Sequence, residues 1–290
     1  MIRPAVITDE ITQDFEHALD VMLEYGVREA ELRGLWGTNI MDLGTEELAR
    51  AKQALDDRGI RVCSIASPLY KCNLWPEAQG EEKGPLHLAV ERSLDQQLTA
   101  LEHAIELTRY FNTKLIRIFA FWRQRPLTDT AMAEIVEALK PAARRAERDG
   151  VILGLENEHA CMLGTGVDTA RALQAVNSPS LRGIWDPGNA YMADEVPFPT
   201  GYEAMRPYTA HIHVKDAERG PDGTKRWAVV GQGEIDFVGQ IAQLVADGFR
   251  GVMSLETHYK PASGSTEEGS RLCLEGMLRL LREADALDTD

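Results

Sequence analysis

Short apolar, often β-branched runs alternate with amphipathic stretches eight times along this chain. The runs are PAVIT (4–8), EAELR (29–33), VCSIA (62–66), LIRIFAF (115–121), VILGLE (151–156), RGIWD (182–186), AHIHV (210–214) and GVMSLE (251–256). Their length and composition are those of buried strands. Between them apolar residues recur at helical spacing, as Phe15, Leu19, Met22 and Leu23 do within 14–25. Helices are also expected over 45–58, ending at Gly59, and over 86–111, 130–149, 167–177, 236–247 and 268–285, with a short one near 201–207. Strand-then-helix alternation implies a parallel sheet, and eight units imply a closed (β/α)8 TIM barrel. The rival, an open doubly wound sheet, usually brings a glycine-rich turn after its first strand, and ITDEITQDF has no glycine. No linker or low-complexity tract interrupts the pattern, so residues 1–290 read as a single barrel domain. Two segments, 68–85 and 216–236, read as long loops over the barrel mouth.

Four of the apolar runs carry an acid or a histidine at or near their C-terminal end: Glu156, Asp186, His213 and Glu256, separated by 30, 27 and 43 residues. Side chains alternate faces along a strand. Glu156 is then in phase with Glu158, Asp186 with Ile184, His213 with His211 and Lys215, and Glu256 with Ser254 and His258. All four candidates can therefore point into the barrel at its C-terminal end, where barrel active sites lie. Three carboxylates gathered there would repel one another without a cation. Carboxylates plus one imidazole suit Mn2+, Mg2+ or Co2+, with Zn2+ also compatible. The same parity nominates Glu158, Lys215 and His258 as pocket residues. Arg33, Lys71, Arg123, Lys215 and Arg219 are cations near strand ends, and together they suit a carboxylate- or phosphate-bearing substrate. Trp36, Trp122 and Trp227 are candidates to wall the pocket.

Charge narrows the partners. Lys plus Arg is 31 and Asp plus Glu is 46, a net charge of −15. Such a surface repels phosphodiester backbones and anionic membranes, which argues against nucleic acid and membrane partners. No apolar run is long enough to span a bilayer, and MIRPAVITDEI carries no long apolar stretch, so a cytoplasmic protein is expected. The four cysteines form no C-x-x-C pair, so free buried thiols are expected.

The motifs LENEH (155–159), WDPGNA (185–190), HIHVKDAER (211–219), GQGEIDF (231–237) and SLETH (254–258), in this order and spacing, resemble the sugar phosphate isomerase/epimerase superfamily with the xylose-isomerase-like barrel. That superfamily includes ketose 3-epimerases, hydroxypyruvate isomerase and, more distantly, endonuclease IV. The resemblance implies metal ligands at Glu156, Asp186, His213 and Glu256, and it selects His213 over His211, which parity alone leaves open. It implies a substrate contact at Arg219. It also exposes a departure: the ketose epimerases place a histidine three residues after the strand-six aspartate, and this chain has Asn189, an amide that can bind a hydroxyl but carries no proton. Homo-dimers or tetramers are implied by analogy.

The chemistry that follows is a divalent-metal-dependent isomerase or epimerase of a keto-sugar or sugar acid, working through a metal-stabilised cis-enediolate with Glu156 and Glu256 as acid and base. Loss of a hydroxyl or carboxylate from the same enediolate would make it a lyase, a sugar-acid dehydratase or decarboxylase. A non-catalytic sugar-binding protein is a more remote reading. An endonuclease-IV-like nuclease is disfavoured, because the strand ends ELRGLW, SIASP and IFAFW lack the extra histidines it needs.

Overall fold

Eight parallel strands close into a barrel in the computed structural model, which describes residues 1–78 and 89–288. The barrel strands, in chain order, are β1 (Arg3–Ile7), β2 (Glu29–Leu32), β3 (Arg61–Leu69), β4 (Leu115–Ile118), β5 (Ile152–Glu156), β6 (Leu181–Trp185), β7 (Thr209–Val214) and β8 (Val252–Leu255). Each pairs with its sequence neighbours, and β1 closes the ring against β8. The helices are α1 (Phe15–Glu24), α2 (Thr45–Arg58), α3 (Leu94–Tyr110), α4 (Asp129–Asp149), α5 (Gly166–Val176), the short α6 (Pro187–Met192) and α7 (Tyr202–Met205), then α8 (Phe237–Ala246) and α9 (Thr266–Glu283). Side-chain caps set their starts: Ser93, Thr128, Thr165 and Ser265 each accept the backbone N–H three residues on. The apolar core lies between strands and helices, with Val6, Ile65, Leu155, Ile212 and Leu255 fully buried. Each such side chain stabilises the fold by about 1.5–3 kcal/mol. No helix among the described residues is long and apolar enough to cross a membrane.

The lumen is packed by small and polar groups together with Ile184. Ala5, Ser64, Gly154 and Ser254 lie on the strands at mid-height, with Glu31 and His211 among them. Gly154 is required there, because a Cβ would sit 2.6 Å from Ile184 Cγ1.

The expected elements are present with displaced ends and some corrections. Strand β4 stops at Ile118 because the chain turns there, with Phe121 at φ 62°. Helix α3 begins at Leu94 rather than near 86, since residues 89–93 are not helical and Ser93 supplies the cap; residues 86–88, and 79–85 of the expected first loop, lie outside the described residues. The second expected loop is not irregular: Asp216–Arg219 pairs antiparallel with Lys225–Ala228. A small hairpin, Gly34–Leu35 with Thr38–Asn39, follows β2. The four cysteines are free, though Cys63 is only half-buried.

Candidate metal centre

Glu156, Asp186, His213 and Glu256 converge at the C-terminal end of the barrel, with one ligand atom from each lying within 4.8 Å of the others. All four are completely buried. Three of their atoms, Glu156 Oε2, Asp186 Oδ2 and His213 Nδ1, make no well-aligned hydrogen bond, although Arg117 and Lys215 stand within ion-pair range of the first two. Buried polar atoms are normally satisfied, so three together mark a place built for another group.

Each ligand is oriented by its other atoms. Asp186 ends β6 and caps α6: its Oδ1 accepts the Asn189 N–H at 2.8 Å, which leaves Oδ2 for the centre. The Asn157 side chain holds the Asp186 backbone from both sides, donating to its carbonyl and accepting its N–H, both at 2.8 Å. Glu156 Oε1 accepts from Asn189 Nδ2 at 3.1 Å. The remaining oxygen of that amide meets His159 Nδ1 at 2.9 Å. Asn189, expected at the substrate, is thus taken up in aligning Glu156. Glu256 is held from two sides, by Arg33 Nη1 at 3.1 Å and Lys215 Nζ at 2.5 Å.

His213 is fixed by Glu31, whose Oε2 lies 3.1 Å from Nε2 of both His211 and His213. With Nε2 carrying the proton toward Glu31, Nδ1 presents its lone pair to the carboxylates, 3.3 Å from Glu156 Oε1 and 3.6 Å from Glu256 Oε2. A carboxylate behind a ligating imidazole fixes its tautomer and raises its basicity. Burial opposes a charge on the His213 ring, but Glu31 and Glu156 overcome it and lift the pKa well above the ordinary value. Burial alone would raise the Glu31 pKa; the two histidines reverse that and hold it well below normal. Burial pushes Asp186 up to about 6, with Lys215 pulling the other way and Glu156 and Glu256 adding to the rise.

The buried cations at the mouth, among the described residues, are engaged by acids. Lys215 Nζ reaches Asp186 Oδ2 at 3.0 Å as well as Glu256. Burial disfavours its charge, yet Asp186, Glu256 and Glu156 raise its pKa well above the usual lysine value. Lys71, fully buried, binds Glu158 at 2.8 Å and lies against the rings of Phe119 and Trp122. Arg33 spans Asp9, Glu10 and Glu256. Arg117 Nη1 stands 3.5 Å from Glu156 and 3.7 Å from Glu256.

The sequence-derived set therefore divides. The four candidate ligands meet, with Lys215, Glu158, Lys71, Arg33, Asn189 and His258 around them; His258 Nε2 is 3.8 Å from Glu256 Oε1. Trp122 is half-buried beside Lys71, and Trp227 lies over the site, 4.8 Å from the His258 ring and 5.6 Å from Lys215 Nζ. Arg219 is not brought to the cluster: it is exposed on the hairpin, donating to the Gly223 carbonyl. Trp36 packs instead against Phe15 and under Arg50, with its N–H on Glu16. Glu31, Arg117, Asn157, Asp9 and Glu10 were not among the expected site residues. Glu31 was within reach, since it shares a strand face with Arg33 in EAELR. Arg117 was signalled by a cation inside the otherwise apolar run LIRIF.

The hairpin that carries Trp227 is tied to the segment that follows it by Asp216. This buried carboxylate accepts the N–H groups of Ala217, Gly231, Gly233 and Ile235. GQGEIDF supplies three of these four donors, and glycine is needed at 233 because a Cβ would lie 2.3 Å from Asp216 Oδ1.

Comparison with known proteins agrees with this architecture. A family model described as the xylose isomerase-like TIM barrel matches residues 19–277. Among solved structures the chain is similar to the probable 3-DHS dehydratase AsbF from Bacillus anthracis, with 17% identity, 96% of this chain and 99% of that one covered, and a TM-score of 0.71. It is similar to the IolI protein determined with a bound zinc atom, with 16% identity, coverage of 98% and 99%, and a TM-score of 0.73. It is also similar to the 3-keto-D-glucoside 4-epimerase YcjR from E. coli, with 16% identity, coverage of 97% and 100%, and a TM-score of 0.68. At such identities the likeness is one of fold. No protein of curated function matches the chain.

Proposed function

The chain belongs to the xylose isomerase-like TIM barrel family, and from that premise we propose that it is a divalent-metal-dependent isomerase or epimerase acting on a keto-sugar or related sugar acid. The observation that carries the proposal is the convergence of four fully buried ligand groups, Glu156, Asp186, His213 and Glu256, with one atom of each within 4.8 Å of the others and three of those side chains keeping an atom without a hydrogen bond. Their chemistry fits Mn2+ or Mg2+, and also Co2+ or Zn2+. Asp186 and His213 would hold the ion, and Glu156 and Glu256 would share it. An ion bound there would supply the positive charge that makes proton loss beside a carbonyl accessible.

The residues of the chain do the rest. Glu156 ends β5 and Glu256 follows β8, so one can take a carbon-bound proton while the other returns one to the opposite face. Asn189 and Arg117 orient Glu156; Arg33 and Lys215 orient Glu256. Lys215, a buried ammonium, can donate a hydrogen bond to an oxygen that gains charge. Trp227 covers the site and limits water. Return of the proton to the same carbon gives epimerisation, and return to its neighbour gives aldose–ketose isomerisation.

The test is solvent deuterium wash-in at the carbon beside the carbonyl, with metal-reconstituted protein and a panel of ketoses and keto-acids. Exchange with unchanged product skeleton supports the proposal. A product lighter by water or carbon dioxide moves the reaction to the lyase class, and no exchange with any member refutes it.

A further inference from the structure

We propose that the N-terminal end of the barrel holds a second binding site, one for a small organic dianion. The cavity there measures about 610 Å³, within the usual range of small-molecule pockets. Arg3 at the start of β1, Arg61 at the start of β3, Lys114 just before β4 and Lys52 on α2 line it, together with the acids Glu29 and Asp56. Four cations against two carboxylates leave an excess of two positive charges, in a chain whose net charge is −15. A basic concavity in an acidic surface concentrates small anions.

The ion pairs show which charges are left over. Asp56 is taken up by Lys52, one helical turn away, at 3.3 Å. Glu29 is shared: it lies 3.0 Å from Arg61 and 3.6 Å from Arg3, so one acid faces two guanidinium groups. Lys114 is exposed and pairs with no acid among the described residues. Arg3 Nε is buried and makes no hydrogen bond, a donor of the kind that proteins normally satisfy. The unmatched charge thus belongs to Arg3, Arg61 and Lys114, around one opening. Leu55, Ile60 and Phe111 supply apolar lining beside them, and the volume is far larger than an inorganic ion fills. Both features favour an anion with an organic body. A phosphate monoester or a dicarboxylate has the matching double charge, and guanidinium groups suit either head group.

The experiment is a calorimetric titration of the Mn2+-loaded full chain with phenyl phosphate, phthalate, phenol and inorganic phosphate. Phenyl phosphate or phthalate should bind at one site per chain, about tenfold or more tightly than phenol and inorganic phosphate; the tighter of the two identifies the head group. Arg61→Ala combined with Lys114→Ala should weaken that anion about tenfold or more, and Lys114→Ala alone about threefold. Both side chains are exposed, so the variants should fold, and urea unfolding checks that they do. Asp186→Asn, at the opposite end of the barrel, should change the affinity less than about twofold. The proposal is overturned if neither organic anion binds. It is overturned equally if inorganic phosphate binds as tightly, which would mean an adventitious ion only. Binding that survives the double substitution, or that disappears with Asp186→Asn and so belongs to the metal centre, also overturns it.

Discussion

The two ends of the same barrel carry ion pairs of nearly identical length in opposite surroundings. At the C-terminal mouth, Arg33 meets Glu256 at 3.1 Å with side chains 9% and 0% exposed. At the N-terminal end, Arg61 meets Glu29 at 3.0 Å with side chains 60% and 7% exposed. The N-terminal end also has an opening, a cavity of about 610 Å³ with Arg3, Arg61 and Lys114 in its wall and His211 on its lining. Room and charge alone therefore do not single out one end of the barrel. Water screens one set of charges, and helix C-termini at that end are natural neighbours for cations. The other set is desolvated and incompletely satisfied, and that is where chemistry has leverage.

The sharpest contrast should come from activity. Glu156→Gln and Glu256→Gln keep shape and remove the base. Each is expected to lower the rate of deuterium exchange at least a hundredfold, whereas Glu29→Gln, the acid at the other end, should leave it within about twofold. Equal losses at the two ends would break the comparison.

Stability should separate the ends as well. Arg33→Met leaves three carboxylates without their guanidinium, so a loss on the order of 3–5 kcal/mol is expected in urea unfolding of the metal-free chain. Arg61→Met removes a partner that solvent can replace, and about 1 kcal/mol or less is expected.

Smaller effects test how the mouth is held. Glu31→Gln can no longer hold both imidazoles as a carboxylate does, and should weaken divalent-ion affinity about 10–100-fold without unfolding the barrel. Metal affinity should also fall as pH drops through about 6. The Asp186 carboxyl is raised to that value by burial, so below it the oxygen meant for the ion holds a proton, and above it the oxygen is free. A calorimetric affinity that is flat between pH 5 and pH 8 would contradict this.

Much of this was legible in the chain. Period-two strands followed by helical repeats are a strong local signal, and polar residues ending apolar runs at Glu156, Asp186 and Glu256 have few reasons to be there besides chemistry. Parity then carried Glu158, Lys215 and His258 to the right face. What escaped depends on three dimensions. Whether Lys71 is free or bound to Glu158 is set by strands 87 residues apart in sequence. That the Asn189 amide meets Glu156 and His159 is likewise a product of the fold. Arg219 follows a motif, but its direction is decided by the antiparallel pairing of Asp216–Arg219 with Lys225–Ala228. The start of α3 depends on a single cap at Ser93, which a longer amphipathic pattern had concealed.

The central claim is that the buried cluster at the mouth is a divalent-metal site. Metal content per chain after equilibration with Mn2+ and removal of free ion, measured by plasma mass spectrometry, addresses it directly. The account predicts one ion per native chain and almost none in Asp186→Asn. A native chain that retains no ion, or an Asp186→Asn variant that retains a full equivalent, would contradict it.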